Sequence, residues 1–141
     1  MKTIQTTSYE QTEQTAAELA KALHGGEVIA LFGEMGAGKT AFVRGLAKGM
    51  GLTDRVSSPT FAIVHDYSER LIHFDMYRIE SWDSLYSTGY YDYLDSNAVK
   101  VIEWSENIEN ALPDDCIRVE IIKTPDENGR IIKIGMDGGL K

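Results

Sequence analysis

An unbroken apolar run, Val28-Ile29-Ala30-Leu31-Phe32, feeds directly into Gly33-Glu34-Met35-Gly36-Ala37-Gly38-Lys39-Thr40, and a stretch with helical periodicity follows at once. No other segment restricts the fold as tightly. A short run without polar alternation reads as a strand covered on both faces, the kind found inside parallel sheets. Beyond the glycines, Phe42, Val43, Leu46 and Met50 recur on one helical face until Gly49 or Gly51 ends the pattern. A strand, a glycine turn and a helix in that order begin a β-α-β crossover, so the chain reads as α/β.

The spacing Gly33-x-x-x-x-Gly38-Lys39-Thr40 is the Walker A pattern. Glycines let the backbone curl around an anion with its N–H groups pointing inward, at dihedrals that other residues resist. The helix starting near Lys39 brings its positive end to the same place. Lys39 supplies a mobile charge for the β and γ phosphates of a nucleotide, and the Thr40 hydroxyl suits Mg²⁺. The expected nucleotide contacts are therefore Gly33, Glu34, Met35, Gly36, Ala37, Gly38, Lys39, Thr40 and the adjoining Ala41.

The rest of the chain supplies the other layers. Ser8 can cap a helix running to about His24, with Ala16, Leu19, Ala20 and Leu23 on one face and Gly25-Gly26 as its stop. Phe61 to Asp66 and Leu71 to Met76 read as strands, and the short polar link between them favours an antiparallel hairpin over a crossover. Ser81 to about Leu94 reads as one or two short helices broken at Gly89. Ala98 to Ile102 is another buried strand, running into Glu103-Trp104. Ile117 to Lys123 and Arg130 to Met136 form a hairpin whose Asn128-Gly129 is a strong turn signal. The expectation is a single domain over residues 1–141, an α/β three-layer sandwich around a mixed parallel and antiparallel sheet.

Charge and composition limit the partners. The net charge is −8, from 22 acidic against 14 basic residues, and no run of Lys and Arg occurs. Proteins that grip nucleic acid unaided usually present a basic stripe, so any nucleic acid here is expected to be held by a partner. No apolar run approaches the roughly 18–20 residues of a membrane span. The N-terminal residues lack the apolar core of a signal peptide, and the single Cys116 cannot form an internal disulfide. These features point to a cytoplasmic protein.

Two acidic residues follow apolar strands. Asp75 ends Leu71-Ile72-His73-Phe74, a position that holds Mg²⁺ in phosphate-loop proteins, although a carboxylate there could also cap a turn or pair with Arg78. Glu103 ends Val99-Lys100-Val101-Ile102, where it could complete the Mg²⁺ shell, orient an attacking water, or simply sit on the surface. Ser57-Ser58-Pro59-Thr60 lies where a loop can reach the γ-phosphate, and Thr60 offers a hydroxyl there; a plain Ser/Pro turn is the alternative. His65 and His73 fall on neighbouring strands, with no third ligand to complete a zinc motif.

Taken in order, the glycine loop, Ser58-Pro59-Thr60-Phe61, His73-Phe74-Asp75-Met76-Tyr77-Arg78 and Ile102-Glu103-Trp104 resemble the TsaE family. These are small P-loop ATPases of bacterial tRNA threonylcarbamoyladenosine synthesis, and the resemblance spans about Thr12 to Pro113. It implies an ATPase that is slow alone and supports turnover of the TsaD and TsaB proteins, with Mg²⁺ as cofactor. It also implies that TsaD modifies adenosine 37 and that tRNA is met only through that complex. By position, Lys39 would be the phosphate lysine and Thr40 a Mg²⁺ ligand. Thr60 would belong to the switch loop, Asp75 would be the Walker B acid and Glu103 the acid near the metal. Trp104 would lie near the nucleotide, and Ser8 to Thr12 would approach the adenine. Ser105 departs from the pattern, since many relatives carry Pro after Glu-Trp.

Two other readings share the same loop: a small-molecule kinase and a nucleotide-dependent protein-binding switch. A kinase needs a cationic lid over the transferring phosphoryl group. After Arg78 the only arginines are Arg118 and Arg130, both in the C-terminal strands.

Overall fold

The computed structural model describes residues 2–34, 36–53, 56 and 64–136. Its strands are β1 (Lys2–Thr6), β2 (Val28–Phe32), β3 (Val64–Tyr67), β4 (Leu71–Asp75), β5 (Val99–Glu103), β6 (Ile117–Lys123) and β7 (Arg130–Met136). They form one sheet in the order β1-β7-β6-β2-β5-β4-β3. The central β6, β2, β5 and β4 run parallel, while β3 at one edge and β7 with β1 at the other are antiparallel. The carboxyl ends of the four central strands therefore open on one edge of the sheet, where α/β proteins build their sites.

The unbroken apolar run in β2 is explained by its two covered faces. Ile29 and Leu31 pack with Phe42, Val43 and Leu46 of α2 (Lys39–Gly49), on the face shared with α1 (Tyr9–Lys21). Val28 and Ala30 join Phe74, Tyr90 and Ile102 on the opposite face. That side is covered by α3 (Trp82–Tyr86), α4 (Tyr90–Leu94) and a 3-10 segment, Ser105–Ala111. The result is the three-layer sandwich with a mixed sheet that the pattern predicts.

Close helix packing fixes α2, and with it the loop that precedes it. A Cβ on Gly45 would lie 2.1 Å from the Glu13 carbonyl oxygen, and one on Gly49 would lie 2.5 Å from that of Ala17. Opposite them stand Ala16 and Ala20, both buried. Small residues on both helices let the backbones approach, so α1 acts as a backstop for α2. At the other end of the sheet Lys100 is fully buried, and its ammonium donates to the carbonyls of Gly26, Leu94 and Ser96 at 3.1, 3.4 and 2.9 Å.

Helix α1 ends near the expected stop, and Gly89, at φ 81°, separates α3 from α4. Strand β1 has no counterpart in the sequence reading; its Lys-Thr-Ile-Gln-Thr is polar because it is an edge strand that pairs with β7 alone. The β6–β7 hairpin forms, but Gly129 has no positive φ. Glycine is required there for space, since a Cβ would meet Thr124 Oγ1 at 2.1 Å, while Gly129 N closes the turn on Asp126 O at 3.2 Å. The residues 61–63 expected to begin β3 lie outside the described residues. No helix among the described residues is long and apolar enough to cross a membrane.

Candidate functional site

The glycine loop leaves β2 at the carboxyl edge of the sheet and ends on Gly38, which adopts φ 105° as the residue preceding α2. Helix α2, like α4 at Gly89, starts without a side-chain cap. Ser8 caps α1 and Ser81 caps α3 with side-chain oxygens, whereas α2 begins with no side-chain acceptor for its first amides. An uncapped helix start, with its positive dipole end, is chemically suited to an anion.

Lys39 is 5% exposed and donates from Nζ to Gly33 O at 2.7 Å, bridging the two ends of the loop. The same ammonium lies 4.0 Å from the centroid of the Trp104 ring. Burial pushes the Lys39 amine below its ordinary value, and the charges of Glu103, Glu106 and Asp75 oppose that shift. Trp104 reaches this position from a left-handed backbone, φ 60°, directly after β5. Tyr77 also packs against Trp104, at 5.0 Å between ring centroids. Ser105 is buried, and its hydroxyl donates to Ile102 O at 2.9 Å, tying the turn that carries Trp104 back to the strand end.

Asp75 and Glu103 are paired residues at the ends of adjacent parallel strands. Burial raises the Asp75 carboxyl above its ordinary range and Glu103 adds to this, against a hydrogen bond from Tyr77 N at 2.9 Å. Glu103 is 6% exposed, and its Oε2 lies 2.5 Å from Nε2 of the fully buried His73. These groups put two carboxylates, a lysine and the Thr40 hydroxyl at neighbouring element ends. Among the described residues no group of three or more His, Cys, Asp or Glu side chains forms a metal cage. Hard oxygen donors without a complete cage suit Mg²⁺, which keeps waters and borrows phosphate oxygens from its nucleotide.

Of the residues singled out from the sequence, the structure brings Gly33, Lys39, Asp75, Glu103 and Trp104 together, with Glu34, Gly36, Ala37, Gly38, Thr40 and Ala41 along the loop and first turn. Met35 and Thr60 lie outside the described residues. Ser8 and Thr12 stand at the start of α1, and both are engaged locally. Ser8 Oγ accepts from Gln11 N, and the buried Thr12 bonds Thr6 Oγ1 at 3.0 Å.

Three neighbours were not legible as site residues. Arg130 on β7 is 4% exposed and donates to Ala37 O at 2.8 Å and Gly36 O at 3.2 Å, holding the loop from behind. It is bound to backbone carbonyls and is not a lid. Lys123, at the end of β6, has its ammonium 3.2 Å from where a Cβ on Gly36 would sit. His73 supports Glu103 from below. Only strand register brings these residues to the loop. A groove of about 720 Å³ opens beside it, walled in part by Gly33, Glu34, Trp104, Glu106 and Arg118.

The family model described as "Threonylcarbamoyl adenosine biosynthesis protein TsaE" matches residues 6–132. The tRNA threonylcarbamoyladenosine biosynthesis protein TsaE of Bacillus subtilis is 35% identical over 129 residues, covering 89% of this chain and 80% of that protein. The protein of the same name from Aquifex aeolicus is 37% identical over 132 residues, 90% of each chain. A crystal structure of Bacillus subtilis YdiB superposes with a TM-score of 0.79 at 30% identity, covering 98% of this chain and 86% of that one. A match that runs from the end of β1 into β7 takes in the glycine loop, both strand-end acids and Trp104 alike. With this architecture beneath it, the chain belongs to the TsaE family of threonylcarbamoyladenosine biosynthesis proteins.

Proposed function

We propose that this chain is a Mg²⁺-dependent ATPase, slow by itself, that supports turnover of the TsaD–TsaB pair in N6-threonylcarbamoyladenosine modification of tRNA at position 37. The observation that carries the reading is Lys39, buried between Gly33 O and the Trp104 ring and under the influence of Glu103, Glu106 and Asp75. On this reading, triphosphate draws the ammonium from Gly33 O onto its own oxygens while the uncapped amides of α2 bind the phosphates. Thr40, Asp75 and Glu103 would hold Mg²⁺, which when bound neutralises charge on the phosphates. Glu103 would aim the attacking water, and Trp104 would keep bulk solvent from the phosphate end of the site. The −8 net charge favours tRNA contact only through the partners, and a cytoplasmic location fits this role.

Phosphate release from Mg-ATP should be measurable with the chain alone and should rise when TsaD and TsaB are added together. No phosphate release in either condition would overturn the ATPase reading, and release without stimulation would overturn the partner role. The groove beside the loop favours one second reading, a small-molecule kinase whose acceptor sits there. ATP consumption that needs an added acceptor, with no free phosphate produced, would select the kinase instead.

A further inference from the structure

The contact between His73 and Glu103 has consequences for the chemistry. A carboxylate can only accept a hydrogen bond, so the 2.5 Å contact requires a proton on His73 Nε2. Nδ1 is buried and has no hydrogen-bond partner among the described residues. The pocket is built for this ring: His73 is fully buried, with Tyr67 and His65 each at 6.3 Å between ring centroids. The imidazole is therefore held in one orientation, with Nε2 on Glu103.

Glu103 is thereby divided into two different oxygens. Oε2 is committed to His73, while Oε1 makes no hydrogen bond among the described residues and is the oxygen left for the phosphate site. A carboxylate held in this way cannot swing away without breaking the bond to His73.

We infer that His73 is a positioning residue that locks Glu103 through the Nε2–H to Oε2 hydrogen bond and presents a single carboxylate oxygen, Oε1, to the attacking water. The inference rests on the ATPase reading and deepens it. It gives Glu103 one oxygen toward the water beside Mg²⁺, with nucleotide affinity set mainly by the loop, Lys39, Thr40 and Asp75.

The test compares two conservative variants and one spectrum. Glutamine places its amide nitrogen close to where His carries Nε2, whereas asparagine matches only the Nδ1 position and falls short of Glu103. His73→Gln should retain kcat within about threefold of the parent. His73→Asn should lower kcat by roughly 10–100-fold, the usual effect of losing an orienting partner, with KM and the calorimetric affinity for Mg-ATP changed less than about threefold. Thermal melts of the two variants should be alike. Long-range ¹H–¹⁵N spectra of the nucleotide-free full chain should show a proton on His73 Nε2, a readout independent of turnover. Equal kcat in the two variants, or parallel losses of kcat and affinity, would overturn the positioning role. So would an Nδ1–H tautomer. A parent chain that releases no phosphate with TsaD and TsaB present would overturn the ATPase reading and with it the catalytic half of the inference, and the tautomer would still decide the bond.

Discussion

Replacing Arg130 by Met asks what keeps the glycine loop in shape before any ligand arrives. The guanidinium makes two bonds to the loop, at 2.8 Å to Ala37 O and 3.2 Å to Gly36 O, and two to its own hairpin, at 3.1 Å to Glu127 O and 2.7 Å to Gly129 O. Methionine keeps much of the apolar stem and donates nothing. Bonds from a charged donor contribute about 1.5–3 kcal/mol each. Counting only the two bonds that reach the loop, and leaving aside the contacts within the hairpin, the scale is about 3–6 kcal/mol. Burying a guanidinium at 4% exposure has its own desolvation cost, which the variant recovers in part. The expected net loss is about 2–4 kcal/mol, a fall of roughly 1–2 M in the urea midpoint for a chain of this size. Urea unfolding followed by far-UV circular dichroism measures it. Calorimetry on the folded variant should show ATP binding weakened by about tenfold, because binding must then order the loop. Arg130→Lys should fall between the two, since an ammonium cannot span both carbonyls as a planar fork does. A midpoint for Arg130→Met within about 0.25 M of the parent, with unchanged ATP affinity, would refute the argument.

Other perturbations separate the remaining roles. Lys39→Ala should abolish ATP binding in calorimetry, because it removes the mobile charge on the phosphates; unchanged affinity would rule out the loop as the nucleotide site. Glu103→Ala should reduce ATPase rate far more than ATP affinity, and a loss of affinity with normal turnover at saturation would contradict its role at the water. Asp75→Asn should raise the melting temperature of the free chain at neutral pH, because the folded state holds this carboxyl above its ordinary value of 3.8. The folded state then binds the proton more tightly, so Asp75 costs stability increasingly as pH rises through the folded value, and the gain in Asp75→Asn should vanish below about pH 4. Melts across pH 3–8 check both sign and window, and a gain that grows toward acid would contradict it. Gly45→Ala should destabilise by about 2 kcal/mol in urea unfolding even though alanine favours helix by about 1 kcal/mol. The new methyl would sit 2.1 Å from Glu13 O, and rigid helices must separate to admit it.

The parts of the fold that could be read in advance were those in which a local pattern and a buried environment agree. The continuous apolar run of β2 required cover on both faces, and its side chains divide between the two cores accordingly. Edge strand β1 carried no such signal, because a polar strand paired on one side looks like a loop. The loop, Lys39 and the strand-end acids were legible because their chemistry is local in sequence. Arg130 and His73 were not, for a physical reason. Arg130 lies 93 residues from Ala37, and His73 lies 30 residues from Glu103. Both pairs exist only through strand register, in which β7 flanks β6 and β4 lies parallel to β5. A sequence pattern reports which residues can do chemistry, and register decides which residues hold them in place.

The electrostatics of the site bear on the kind of ligand it would suit. Burial pushes the Lys39 amine down and the Asp75 carboxyl up, so both charged forms are disfavoured even though each lies within the other's field. Their mutual attraction does not offset the water they have lost. A lone cation would relieve Asp75 and Glu103 but would be repelled by Lys39. A lone polyphosphate would relieve Lys39 and the uncapped amides of α2, yet would lie beside Glu103, Glu106 and Asp75. On the ATPase reading, a metal-bound nucleoside triphosphate would bring both charges at once and suit Lys39, Asp75 and the amides of α2 together. On the ATPase reading, this mixture of charges would make metal and nucleotide binding mutually reinforcing.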